Sequence, residues 1–222
     1  MKKFLKLILV GMMTFMLIAC GSEESEAVDE EVKTEESETT EEIEAVEEIV
    51  ELEYDYIEED EETICLYDVA SSLNKLPETI TLPEEIDGKT VVSIKELFTN
   101  DSRGQKEIII PSSVKNIKAD AFTLANTIEK ITVCGCETIK ADAIYMCESL
   151  KVLQIEEGTK TIEDNTGYLC PSLEEVYLPA SVEYISDNGC FLGTSQNLTI
   201  YAPAGSYAEE WAVQMGFKVE AR

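Results

Sequence analysis

From Leu82 onward the apolar positions fall into columns rather than into one helical or strand period. Ile94, Ile117, Ile139, Ile162 and Ile185 form one column, with steps of 23, 22, 23 and 23 residues. Strand-like pairs precede them: Ile108/Ile110, Ile131/Val133, Leu153/Ile155 and Val176/Leu178. A further column reads Ile128, Leu150, Leu173 and Leu198. Self-similarity at such a period marks a solenoid. One unit of this length cannot bury its own apolar face, whereas stacked coils share a core. The spacing predicts one short strand per coil, the strands stacking into a parallel sheet with the columns pointing inward. β-Branched residues suit those sheet positions. Pro83, Pro111 and Pro179 follow the strands and end them, because proline has no N–H to give the ladder.

Both ends of the repeat array carry different patterns. Val50, Leu52, Tyr54 and Tyr56 alternate with Glu51, Glu53 and Asp55, the period of a strand with one buried face. Thr63 to Tyr67 is its expected hairpin partner, closing the open end of the sheet. At the other end Ser206 and Glu209 make a capping box for a helix running to about Met215. Gly216 terminates that helix, and Phe217 and Val219 are expected to pack as a last strand. Trp211 is expected to be buried in this cap rather than used for binding. The folded domain therefore spans 49–222, with a capping hairpin in 49–80 and a helical cap in 202–222.

Ahead of the domain stands a different kind of sequence. Lys2, Lys3 and Lys6 form a short basic region, and Phe4 to Ala19 is otherwise almost wholly apolar. This is the length of an export signal, short of the roughly 20 residues of a spanning helix. It ends in Leu17-Ile18-Ala19-Cys20, which resembles the lipobox of bacterial lipoproteins. The resemblance implies a lipoprotein signal peptide over 1–19, lipidation of the Cys20 thiol and cleavage just before it. An ordinary signal peptide or an uncleaved anchor would carry the same apolar run. The position of the tetrapeptide, and the polar run directly behind it, favour the lipobox. Residues 20–48 are mostly Glu, Ser and Thr, with Lys33 the only basic residue. Such a run buries too little to offset its ordering entropy, and its like charges push it open. It reads as an acidic disordered tether.

The repeats themselves resemble the BspA-like class of leucine-rich repeats. Ile108-Ile-Ile-Pro-Ser-Ser-Val-Lys-Asn-Ile117-Lys-Ala-Asp-Ala-Phe122 and Val176-Tyr-Leu-Pro-Ala-Ser-Val-Glu-Tyr-Ile185 carry the likeness. Pro83 to Ile94 is similar to that family's opening repeat. The resemblance implies a leucine-rich-repeat solenoid of α/β type, with short parallel strands and irregular, turn-rich backs. It also implies a bacterial cell-surface protein engaged in adhesion or recognition. Three departures stand out. Glu156-Glu157-Gly158 replaces the proline-type turn, Thr166-Gly167-Tyr168 replaces the Ala-Phe pair, and the stretch from Leu97-Phe98 to Lys106 is long.

Composition narrows the chemistry. The chain has 46 Asp+Glu against 17 Lys+Arg, a net charge of -29, and no histidine. That excludes nucleic acid as a partner, since phosphate binding needs clustered Lys and Arg. It also removes every mechanism that needs an imidazole. Ser72-Leu-Asn-Lys75 and Ser186-Asp187-Asn188 are similar to two motifs of penicillin-binding enzymes, but the third, K-T-G, is missing. Ser186 also occupies the turn where other repeats read Lys118-Ala-Asp120 and Lys140-Ala-Asp142. Cys134-Gly-Cys136 is not C-x-x-C, and no second pair stands at zinc-ligand spacing. No catalytic set, metal site or cofactor is predicted. Cys147 and Cys170 share a column with Ala125, which asks for a small apolar group. Stacking makes a disulfide between them conceivable, although buried reduced thiols are the expected state.

These features together predict an extracytoplasmic protein, lipid-anchored to a bacterial membrane through Cys20 and exposed at the cell surface. Its repeat domain would bind an extracellular protein or surface. Thr132, Gln154, Tyr177 and Thr199 lie between the core columns and are the candidate ligand-binding positions. The alternative is a structural or accessory envelope lipoprotein that scaffolds another extracytoplasmic protein.

Overall fold

The computed structural model describes residues 4–10, 49–69, 75–100 and 103–222. Cys20, the acidic run 20–48, Ser72 and most of the predicted signal peptide lie outside the described residues. In chain order the first strands are β1 (Phe4–Val10), β2 (Ile49–Glu58), β3 (Thr63–Asp68), β4 (Thr79–Thr81), β5 (Glu85–Ile86) and β6 (Lys89–Ile94). The repeats follow with β7 (Glu107–Ile110), β8 (Asn116–Ile117), β9 (Lys130–Val133), β10 (Thr138–Ile139), β11 (Val152–Ile155) and β12 (Thr161–Ile162). The chain ends with β13 (Glu175–Tyr177), β14 (Tyr184–Ile185), β15 (Thr199–Ala202), α1 (Tyr207–Gln214) and β16 (Lys218–Ala221).

The longer repeat strands form one parallel sheet in the order β16-β15-β13-β11-β9-β7-β4. Its register aligns Ile108, Ile131, Leu153, Val176 and Ile200 in one row, all fully buried. The predicted apolar columns are thus the core. Each coil, however, contributes two strands rather than one. The column isoleucines Ile94, Ile117, Ile139, Ile162 and Ile185 pair in register in a second parallel ladder along β6-β8-β10-β12-β14. Four of these five strands are two residues long, too short to show an alternation in the sequence. The fold is a parallel β-solenoid of leucine-rich-repeat type, closed at its C-terminal end by the single helix among the described residues.

Tight turns return the chain between the two ladders. Asp120, Asp142 and Asn165 all have φ near +60° (61°, 58° and 57°). Asp and Asn tolerate this left-handed conformation better than other side chains, which accounts for the recurrent Lys-Ala-Asp turn. The Asn165 amide donates to Asp142 Oδ1 at 3.0 Å, tying successive turns together.

The irregular third repeat has a packing reason. Gly135 and Gly158 both have φ +108° and sit face to face in consecutive coils. A Cβ on Gly158 would stand 3.1 Å from Gly135 Cα, so the two backbones meet where a side chain would hold them apart. Glu157 then accepts the N–H groups of Ala180 and Ser181 at 2.8 and 3.1 Å, and Ser181 Oγ accepts from the Gly158 N–H at 2.9 Å. Gly158→Ala combines a disfavoured φ with a backbone clash. It should cost about 1–3 kcal/mol, read as a lower midpoint in urea; an unchanged midpoint would mean the turns separate freely.

At the N-terminal end β2 and β3 form the expected antiparallel hairpin. It extends the short-strand sheet, because β3 pairs in parallel with β6. The edge of the long-strand sheet is β4 instead. Strand β1 lies antiparallel along the outer edge of β2. At the C-terminal end the Glu209 N–H donates to Ser206 Oγ at 3.2 Å, while Glu209 Oε2 accepts from the Gly205 N–H at 2.6 Å. Trp211 is buried, and its indole N–H donates to Asp187 Oδ1 at 2.9 Å.

Candidate interaction surface

Alternation in the long strands leaves one row of side chains outward between the two buried rows. Pairing registers it as Ile109, Thr132, Gln154, Tyr177 and Tyr201. Thr132, Gln154 and Tyr177 therefore stand side by side, half-buried, as one continuous strip. Thr199 does not join them. It registers with Glu175, Val152 and Lys130 in the adjacent row and is buried at 4% exposure. The physical reason is the register of β15 on β13, which sets Tyr201 and not Thr199 beside Tyr177, while β16 brings Lys218 against Thr199 with its ammonium 3.1 Å from Thr199 Oγ1. The position that continues the strip is Tyr201.

The C-terminal half of the strip is chemically the richer. Tyr177 and Tyr201 stack with ring centroids 4.5 Å apart and planes 10° from parallel. Arg222 lies over the Tyr177 ring, its guanidinium carbon 5.9 Å from the centroid. The same guanidinium pairs with Glu156 at 3.1 Å, and Gln154 also donates to Glu156. These hydrogen bonds, Gln154 first and then Arg222, hold the Glu156 carboxyl below its ordinary range. Tyr177 donates to Glu175 Oε2 at 2.8 Å, and that bond, followed by burial, pushes its pKa up to about 12. The Tyr177 phenol is thus a neutral donor at any physiological pH. Stacked tyrosines beside an arginine combine large rigid contact area with directional polar groups, the composition that concentrates binding energy in protein interfaces.

Beside the strip runs a row of alternating charges. Lys130 pairs with Glu107 at 2.8 Å, and Glu129 is held between Lys106 and Lys151. Hydrogen bonds from Lys106 and then Lys151 draw the Glu129 pKa down to about 2. Its folded carboxyl is more acidic than its unfolded one, so the unfolded chain binds more protons at low pH. Its stabilisation is complete above pH 4.5 and fades as the pH falls toward about 2. Glu129→Gln should flatten the acid-unfolding curve across that window, most visibly at low salt; an identical curve would show that the ladder is fully screened.

The remaining candidates have structural partners. Ser186 donates to Asp164, Asn188 donates to the same carboxylate at 2.8 Å, and Asp187 holds Trp211. The Ser-Asp-Asn string is a repeat turn fastened to its neighbours. Cys136 is buried, its thiol donating to the Thr138 carbonyl at 3.0 Å, and burial pushes its pKa up to about 11. A shallow acidic basin is lined by Tyr67, Asp68, Glu96, Thr99 and Asp120. Among the described residues no group of three or more His, Cys, Asp or Glu is placed to hold a metal ion.

Parallel coils with aligned aliphatic columns and a turn-rich back define a leucine-rich-repeat protein. The chain belongs to the BspA-type leucine-rich-repeat family: that family's pattern matches residues 78–206, in six copies. Among solved structures it is similar to the leucine-rich-repeat protein of T. pallidum. The identity is 21% and the TM-score 0.56, covering 75% of this chain and 95% of that one. A leucine-rich cell surface protein from Faecalibacterium prausnitzii A2-165 is 18% identical at a TM-score of 0.47, covering 76% of this chain and 52% of that one. No curated protein matches the chain. Solenoids of this kind offer extended surfaces on which partners are bound.

Proposed function

We propose that this chain is an exported lipoprotein that binds a protein or surface ligand outside the bacterial cell. In this reading Cys20 carries the lipid, residues 20–48 hold the domain away from the bilayer, and the outward strip makes contact. The observation that carries it is the strip itself, a registered run from Thr132 through Gln154 and Tyr177 to Tyr201, ending on the Tyr177–Tyr201–Arg222 cluster. Family membership supports the binding role. The lipobox and the acidic run behind it support the anchor, since two or more acyl chains on one residue give lasting attachment. Many copies on one membrane would raise a modest single-site affinity by avidity. Cleavage before Cys20 would also remove β1 and leave β2 as an edge strand. Its acidic residues, such as Glu53 and Glu58, discourage pairing with other chains.

Two measurements test the reading. Fatty-acid labelling of the full-length protein should depend on Cys20, disappearing in Cys20→Ala, and the domain should be shaved by protease from intact cells. Unlabelled or protease-protected protein would favour the envelope scaffold. Alanine at Thr132, Gln154, Tyr177 and Tyr201 together should lower binding to extracellular matrix proteins or host cells at least tenfold with the fold intact; unchanged binding to all of them would move the contact elsewhere.

A further inference from the structure

Six cysteines lie among the described residues, and five of them are buried. Two differ from the rest. Cys147 and Cys170 occupy the same place in consecutive coils, and both are fully buried. Two residues before each, Tyr145 and Tyr168 form a parallel bridge, their rings stacked at 5.7 Å. The Met146 N–H donates to the Tyr168 carbonyl at 3.0 Å, fixing the coils together immediately before the sulfurs. The register of that bridge sets Cys147 and Cys170 at adjacent places in one buried column. Backbones paired in this way run about 4.8 Å apart, within the Cα separation that a disulfide spans.

Packing does not explain two sulfurs here. Ala125 fills the same column one coil earlier and is equally buried. A small apolar group is all the column requires, yet sulfur appears twice, in neighbouring coils. Each thiol also has a backbone carbonyl in reach, Phe122 at 2.8 Å from Cys147 Sγ and Tyr168 at 3.7 Å from Cys170 Sγ, as Cys136 and Cys190 have theirs.

We propose that Cys147 and Cys170 are a disulfide site that staples two adjacent coils of the solenoid as the chain folds in the presence of a disulfide oxidant. The chemistry is thiol–disulfide exchange with a small-molecule or protein disulfide. One cysteine thiolate attacks the oxidant's sulfur and expels one thiolate from it, giving a mixed disulfide. The second cysteine, as thiolate, then attacks the protein sulfur of that mixed disulfide and expels the other half. Two protein thiols are oxidised, one oxidant disulfide is reduced to two thiols, and the two protons leave with those products or the solvent. The step belongs to folding rather than to the folded state. Once packed, the sulfurs are inaccessible, and contact with Cys170, then burial, pushes the Cys147 thiol far up. By the same argument the finished bond is shielded from reductants. The staple joins neighbouring repeats, and in a solenoid the coupling between neighbours decides whether the ends fray separately.

The test uses the full chain, prepared reduced and refolded with a mixture of oxidised and reduced glutathione. Remaining thiols are alkylated in denaturant, and the digest is read by mass spectrometry. The peptides holding Cys147 and Cys170 should appear joined, lighter than their sum by two hydrogens, while Cys65, Cys134, Cys136 and Cys190 carry alkyl groups. Cys147 and Cys170 each alkylated, or linked to other cysteines, would overturn the proposal. The oxidised protein should also melt roughly 5–10 °C above the reduced one. That difference should vanish in Cys147→Ala and in Cys170→Ala and persist in Cys134→Ser. A redox-dependent melting shift surviving in both alanine variants would equally overturn it. Because refolding is done in vitro, the result is independent of whether the chain is exported or lipidated.

Discussion

Phe191→Ala should destabilise the folded chain by about 3–5 kcal/mol, the usual range for emptying a buried phenylalanine site. Phe191 is 1% exposed and has φ +58°. Alanine inherits that backbone strain unchanged, so the loss reports packing alone. The ring fills space that another coil leaves open. Gly167 stands where the preceding coils carry Phe122 and Ile144, and a Cβ placed on it would lie 2.6 Å from Phe191 Cδ1. Phe191 in turn meets Trp211 and Phe217 edge-on, at 6.1 and 6.4 Å between ring centroids. Removing it undermines the whole C-terminal cap. The chain has one tryptophan, so Trp211 fluorescence reads the cap directly. We expect a red-shifted emission and a much lower urea midpoint. Gly167→Ala should be costly too, from its φ of +71° and the clash. Combined with Phe191→Ala it should cost less than the sum of the two, because the clash disappears with the ring. Strict additivity would show that Gly167 and Phe191 do not share that space.

The pairing of Gly167 with Phe191 marks the limit of what the sequence made legible. The columns of Ile and Leu exposed the solenoid, because burial on a stacked core demands the same residue class at a constant step. The capping box at Ser206 and the alternation from Val50 to Tyr56 were readable for the same reason: each is a local rule. Compensation between coils is not local, and Thr166-Gly167-Tyr168 looks like a simple loss of the Ala-Phe pair until Phe191 is seen above it. The second ladder was hidden by length, since Asn116–Ile117 or Thr161–Ile162 cannot display a period. Register failed at one strand. Leu173 precedes the inward Val176 by three residues, but Leu198 precedes the inward Ile200 by two. Counting four on from the leucine, as from Leu173 to Tyr177, therefore lands on the inward Ala202, whereas the strip continues at Tyr201. The flanking signal was weak, because the second inward residue there is Ala202, a small side chain that does not announce a core position.

Gln105→Leu should stabilise the protein by about 1–3 kcal/mol, the penalty commonly carried by a buried polar group without partners. Gln105 sits two residues before Glu107, in register with Ile128 two residues before Lys130. It thus occupies the column filled in later coils by Ile128, Leu150 and Leu173, all fully buried. Gln105 is itself fully buried, and neither its amide nitrogen nor its amide oxygen has a partner among the described residues. Leucine is close to glutamine in size, so the exchange removes the unpaired amide without opening a cavity and adds apolar contact. For a domain of this size the gain corresponds to a melting point higher by roughly 2–12 °C. Two companion variants separate the causes. Gln105→Ala removes the amide but leaves a void, so it should fall well short of leucine. Gln105→Glu puts an unpaired charge in the same place and should destabilise strongly unless the carboxyl stays protonated, which makes its cost grow as the pH rises above the carboxylate range. If leucine proved destabilising while glutamate was tolerated at neutral pH, the amide would have to be hydrogen-bonded to water or another group at that site, and the N-terminal coil would be polar at its centre rather than a first turn of the apolar core.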